Sequence, residues 1–94
     1  MGTRLAIIGA AGGVGSATAF ALAERQIVSE LIMIDNREDL VRSHAMDIEQ
    51  GVRETSGTVV RYGTWPDLEG CDVVIMAAAA PGGLLRSCLR SRRT

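Results

Sequence analysis

The sequence predicts an α/β fold built on a parallel sheet, and three observations carry that prediction. An apolar run at residues 5–8 (L-A-I-I) stops at Gly9 and opens into the glycine-rich G-A-A-G-G-V-G of residues 9–15. An alanine-rich stretch with helical spacing follows, up to Ala23. A second apolar run, residues 31–34, ends in Asp35. Strand, glycine turn, helix, strand and acid, in that order, make a dinucleotide-binding βαβ unit. With two further strands downstream, the expectation is half of a Rossmann doubly wound parallel sheet, strand order 3-2-1-4.

Each element has its own justification. Residues 5–8 read as a buried strand because a parallel strand covered on both faces is apolar throughout. Gly9 allows the chain to turn sharply off that strand. Gly12 has no Cβ, so backbone N–H groups there can come close to a pyrophosphate. Residues 13–23 are helical, and their spacing assigns Val14, Ala17 and Ala21 to the buried face. The start of this helix presents unpaired N–H groups and a partial positive charge to an anion. Gly15 lets the helix lie close on the sheet. Asp35 comes twenty residues after Gly15 and is placed to accept hydrogen bonds from an adenosine ribose. Its charge repels a 2′-phosphate, which favours NAD over NADP.

Residues 36–39 form a loop opening a second helix, with Glu38 and Asp39 in its first turn, where acids suit the helix dipole. Val41, Ala45, Ile48 and Val52 recur at four, three and four, which is one buried helical face. Residues 58–62, which open on the β-branched Thr58, Val59 and Val60, read as a third strand. Residues 63–70, with Trp65-Pro66-Asp67, read as a loop with room for one short helical turn. Residues 71–77 (C-D-V-V-I-M-A) read as a fourth buried strand, running into Ala78, Ala79, Ala80 and Pro81. The site then lies at the carboxyl ends of strands one and four, where the strand order reverses.

Composition narrows the function classes. At 94 residues the chain holds at most one small domain, residues 1–81, with a divergent basic tail at 82–94. The apolar fraction of 47% suits a globular core, but with one Trp, one Tyr and one Phe small aliphatic residues must fill it. Residues 1–81 carry six arginines against eleven acids, and the tail carries four arginines and no acid. The acidic body argues against a nucleic-acid surface. Cys71 and Cys88 form neither a metal pattern nor a disulfide framework, and Cys71 reads as a small buried hydrophobe. Nineteen uncharged residues, 5–23, could pass for an export signal or a membrane span. Four glycines within seven residues of that stretch make a poor membrane helix, so a cytoplasmic protein without membrane contact is expected.

The motifs together resemble the amino-terminal NAD-binding part of the lactate/malate dehydrogenase family, over residues 4–81. G-A-A-G-G-V-G is similar to the family's phosphate loop in the longer form common among malate dehydrogenases. L-I-M-I-D at 31–35 matches the strand and ribose acid, and D-V-V-I-M-A-A-A-A-P at 72–81 resembles D-V-V-I-x-T-A-G-x-P. S-H-A-M-D-I at 43–48 is similar to G-x-A-x-D-L and leans towards the lactate branch. The resemblance implies NAD as cofactor, held by Gly9, Ala11, Gly12, Gly13, Val14, Gly15, Asp35, Asn36, Ala77, Ala78 and Ala79. It implies hydride transfer to and from a small 2-hydroxy or 2-oxo acid, malate first and lactate second, in a full-length homo-oligomeric parent. No metal is implied.

The family's catalytic His–Asp pair falls beyond residue 94, so this chain is not expected to be catalytic alone. His44, the only histidine, reads as a partly packed helix residue rather than a base. After Pro81 the sequence departs from the family pattern. Arg86 is the candidate for the substrate-binding loop arginine, with Gly82-Gly83 as hinge, but the acid and Asn expected after it are missing. The expectation is a truncated or frame-shifted piece of a longer dehydrogenase. The alternatives are a stand-alone NAD or ADP-ribose binding module without chemistry, and a translation product that folds poorly.

Overall fold

The computed structural model of the protein describes residues 2–77. Four parallel strands form one sheet in the order β3-β2-β1-β4, with β1 at Arg4–Ile8, β2 at Glu30–Ile34, β3 at Val59–Tyr62 and β4 at Val73–Met76. Helix α1 (Gly13–Glu24) joins β1 to β2, and α2 (Glu38–Val52) joins β2 to β3. A 3-10 helix, Trp65–Gly70, precedes β4. The strand order and the crossover helices agree with the sequence expectation. The uncharged stretch at 5–23 divides into strand, turn and a twelve-residue helix. No helix among the described residues is long and apolar enough to cross a membrane.

The central strands are apolar on both faces because both faces are covered. Leu5, Ile7, Leu31 and Met33 enter the larger core with Val41, Ala45, Ile48 and Val52 of α2. Ala6, Ile32 and Ile34 point the other way and pack with Leu68 and Cys71. The face expected for α2 is therefore the buried one. Cys71 is half-buried rather than fully enclosed, and its thiol donates to the Asp67 carbonyl at 3.4 Å.

Two further expectations need correction. The buried face of α1 is Gly15, Ala19 and Ala23, whereas Val14 is 72% exposed and Ala17 and Ala21 face solvent. A Cβ at Gly15 would run into the Gly9 carbonyl and the Ala10 Cα, so this residue sits directly on the loop backbone. That contact sets the rotation of the helix, and the small residues at intervals of four then meet the sheet. Strand β4 is not fully buried either. Val73 and Val74 are 43% and 42% exposed, because among the described residues β4 has β1 on one side only.

Candidate functional site

The site is built outward from the end of β1. Gly9 takes a φ of 85°, a left-handed conformation that L side chains resist, and this turns the chain off the strand. The amides of Gly9 and Ala10 both donate to the Ile34 carbonyl, at 2.8 and 3.1 Å, tying the loop to the end of β2. The Gly12 amide closes the turn onto the Gly9 carbonyl at 3.2 Å. Helix α1 then begins at Gly13, and its first internal bond runs from the Ser16 amide to the Gly12 carbonyl at 2.9 Å.

This helix start is left open. Gly12, at the capping position, has no side chain to cap with, and no acid stands in the first turn. The amides of Gly13, Val14 and Gly15 donate to no acceptor among the described residues. A Cβ at Gly13 would meet nothing within 4 Å, and one at Gly12 would meet only the Gly9 carbonyl oxygen at 3.5 Å and Arg37 Nη2 at 3.8 Å. Space, unpaired N–H groups and the positive end of a helix dipole coincide there, which is what a pyrophosphate requires.

Asp35, one residue past β2, is brought to the same loop. Its Oδ2 accepts the Ala11 amide at 3.1 Å, and its side chain is only 7% exposed. Arg37 supplies three more donors: its amide (2.9 Å) and Nε (3.1 Å) to Oδ1, and Nη2 (3.2 Å) to Oδ2. Burial opposes the charge on Asp35, but the Arg37 guanidinium and the two backbone amides outweigh it and hold the carboxyl below the usual carboxylate range. The same bonds raise the Arg37 guanidinium above its ordinary value.

Gly9, Ala11, Gly12, Gly13, Val14, Gly15 and Asp35 thus gather at the carboxyl end of the sheet. Asn36 is exposed beside Asp35. Ala77 follows β4, and its amide donates to the Ile8 carbonyl at 2.8 Å, next to Gly9. Ala78, Ala79, Arg86, Cys88 and the boundary at residue 81 lie outside the described residues. His44 is half-buried in α2. Sequence reasoning missed Arg37; the available signal was an arginine two residues after the acid, the spacing at which an Asp side chain bonds the backbone ahead of it.

It also missed a charged network at the amino ends of the strands. Glu30 bridges Arg4 (2.7 Å) and Arg61 (2.8 Å), Arg61 reaches Asp67 at 3.5 Å, and the Arg4 amide donates to Asp72 at 2.9 Å.

Comparison with known proteins gives a consistent picture. A family model described as "lactate/malate dehydrogenase, NAD binding domain" matches residues 3–86. L-lactate dehydrogenase 1 of Clostridium acetobutylicum is 40% identical over 78 residues, covering 83% of this chain and 25% of that protein. The malate dehydrogenase of Haloferax volcanii is 40% identical over 81 residues, covering 84% of this chain and 27% of that protein. The chain therefore spans about a quarter of the length of these curated relatives. Among solved structures, the ligand-bound minor L-lactate dehydrogenase of Enterococcus mundtii superposes with a TM-score of 0.78 at 25% identity, over 84% of this chain and 25% of that one. The lactate dehydrogenase of Cryptosporidium parvum gives 0.74 at 26% identity, over 83% of this chain and 26% of that one.

Proposed function

Since the chain belongs to the lactate/malate dehydrogenase family through its NAD-binding domain, we propose that the loop and helix start at the carboxyl end of β1 are where it holds NAD. The observation that carries this reading is the Ala11–Asp35 hydrogen bond of 3.1 Å, which joins the open helix start to a buried carboxylate. The amides of Gly13, Val14 and Gly15 take the pyrophosphate oxygens, and the missing Cβ atoms of Gly12 and Gly13 let them approach. Asp35 accepts from the adenosine ribose, as a carboxylate kept ionised can. Gly9 and Ala11 hold the loop in shape, and Asn36 and Ala77 border it. Bound NAD supplies a hydride acceptor.

The whole protein that carries such a domain transfers hydride between NAD and a small 2-hydroxy acid in this reading. Both lactate and malate dehydrogenases stand among the relatives, and the loop form G-A-A-G ranks malate ahead of lactate. The chain by itself carries one histidine, set in α2, so no proton carrier of that kind stands at the strand ends. With NADH and oxaloacetate or pyruvate it is expected to show no oxidation above the blank.

Calorimetric titration of the chain with NAD tests the site. Saturable binding is expected, weakened about tenfold or more in Asp35→Ala, since a hydrogen bond to a charged acceptor is lost. Equal affinity in the two proteins would remove Asp35 from the site.

A further inference from the structure

We propose that Arg37 decides how the site treats the 2′ position of the adenosine ribose. Its guanidinium occupies the two acceptor positions on Asp35 that a ribose diol needs, and once displaced it is placed to receive a 2′-phosphate. This rests on the NAD site just described and adds a discriminating residue to it.

Asp35 has no acceptor position to spare. A carboxylate offers about four lone-pair positions, and four donors already meet Asp35: the amides of Ala11 and Arg37, and the Nε and Nη2 of Arg37. The two amides are held by the backbone. The Ala11 amide belongs to a loop pinned on the Ile34 carbonyl, and the Arg37 amide lies at the turn into α2. Only the guanidinium can yield. Its side chain is 59% exposed, so it can swing into water at little cost. An incoming ribose therefore competes with Arg37 for Asp35 rather than finding the acid free.

The displaced guanidinium stays close to the dinucleotide site. Arg37 Nη2 lies 3.8 Å from where a Gly12 Cβ would stand, between the ribose acid and the open helix start. An unpaired Asp35 would repel a 2′-phosphate. With the Arg37 guanidinium close by, the charge of Asp35 is offset even when their hydrogen bonds are broken, and the guanidinium matches phosphate oxygens in bidentate geometry. NAD binding costs the Arg37–Asp35 pair without replacing it, whereas a 2′-phosphorylated dinucleotide gives the guanidinium a new partner. The site is then less selective for NAD over NADP than a bare acid would make it.

Arg37→Gln, which keeps most of the side chain and loses its charge, is the test, with Arg37→Lys as a charge-retaining control. Each 94-residue chain is titrated calorimetrically with NAD and with NADP, and its fold is checked by circular dichroism. In Arg37→Gln, NAD should bind about two- to fivefold tighter, as expected for release of an exposed ion pair. NADP should bind about tenfold weaker, through loss of a charge-assisted contact. Arg37→Lys should fall between Arg37→Gln and the parent. An unchanged NAD-to-NADP ratio in Arg37→Gln, with NAD still bound and still weakened by Asp35→Ala, overturns the role of Arg37 alone. Binding of neither dinucleotide by the parent chain overturns the site itself.

Discussion

The seating of α1 on the loop can be tested by one substitution made at two places. At Gly15 an added Cβ would strike the Gly9 carbonyl oxygen and come within 2.9 Å of the Ala10 Cα and 3.0 Å of the Gly9 carbonyl carbon. All three are backbone atoms, so no side chain can rotate aside, and the helix must back away from the sheet. Retreat would also pull Ala19 and Ala23, both fully buried, off the core. Overpacking of this kind costs about 1–3 kcal/mol, and three backbone clashes place Gly15→Ala at the upper end. Alanine in a helix returns up to about 1 kcal/mol relative to glycine. The net loss is about 2 kcal/mol, a fall in Tm of about 8–16 °C for a domain of this size.

At Gly13, two residues earlier in the same helix, a Cβ would meet nothing within 4 Å. Gly13→Ala should therefore leave stability unchanged or raise it by up to about 1 kcal/mol. Both variants restrict the unfolded chain alike, so their difference isolates the contact with the loop. Urea and thermal unfolding followed by circular dichroism measure it. Stabilities within about 0.5 kcal/mol of each other, less than the clash alone demands, would refute the close seating of α1.

The other predictions concern the core, the charges and the sheet edge. Leu31, fully buried near the start of β2, should cost about 2–5 kcal/mol when replaced by Ala, read as a lower urea midpoint at unchanged slope; a loss under about 1 kcal/mol would contradict the packing described. Glu30, Asp35 and Asp67 are all held below the usual carboxylate range: Glu30 first by the Arg61 side chain, Asp35 by the Arg37 and Ala11 donors against its burial, and Asp67 first by the Thr64 amide. A carboxyl depressed on folding stabilises above its unfolded value, about 4, and loses that contribution as the pH falls through its folded value. Stability should thus be level from about pH 8 to 5 and fall below about 4, and an acid midpoint above pH 5 in a dichroism titration would count against these ion pairs. The β4 edge, open among the described residues, is expected to pair with a second copy at high concentration, and Val74→Lys, placing a charge there, should reduce that self-association by size-exclusion chromatography; a parent profile that does not shift with concentration, or one that shifts equally in both proteins, would clear this edge of blame.

The parts of the fold that could be read from sequence were those where one periodicity dominates. Residues 5–8 and 31–34 have no polar position to misplace, and Val41, Ala45, Ile48 and Val52 stand out from charged neighbours on α2. Helix α1 offers no such contrast. Alanines at 17, 19, 21 and 23 lie around the whole cylinder, so apolarity carries no phase, and the phase comes from a steric contact at Gly15. Strand β4 reads as buried because Val73 and Val74 are apolar, but burial is decided by what lies alongside. At the site, the glycines and Asp35 were legible from their spacing. Arg37 was hidden because a charge in a helix-opening loop usually faces water, and only the side-chain geometry shows it folded back on Asp35. The Glu30 network was hidden by distance along the chain, since Arg4 and Arg61 lie 26 and 31 residues from Glu30.

The two ends of the sheet differ in a way that supports the proposed place of the ligand. At the amino ends Glu30 accepts from both Arg4 and Arg61, Asp67 engages Arg61, and Asp72 accepts the Arg4 amide, so each charged group has a partner within the chain. At the carboxyl ends the donors outnumber the acceptors. Three amides at the start of α1 lack partners among the described residues, and Asp35 is the carboxylate that reaches the glycine loop. Parallel strands joined by right-handed crossovers bring every helix start to that same end, which accumulates positive dipole ends there. Gly12 adds no side chain that could fill the gap, and Arg37 adds a further cation beside it. An excess of donors around open space is resolved most fully by an anionic ligand with several oxygens. In the proposed reading a dinucleotide brings that anion to the helix start and its sugar to Asp35.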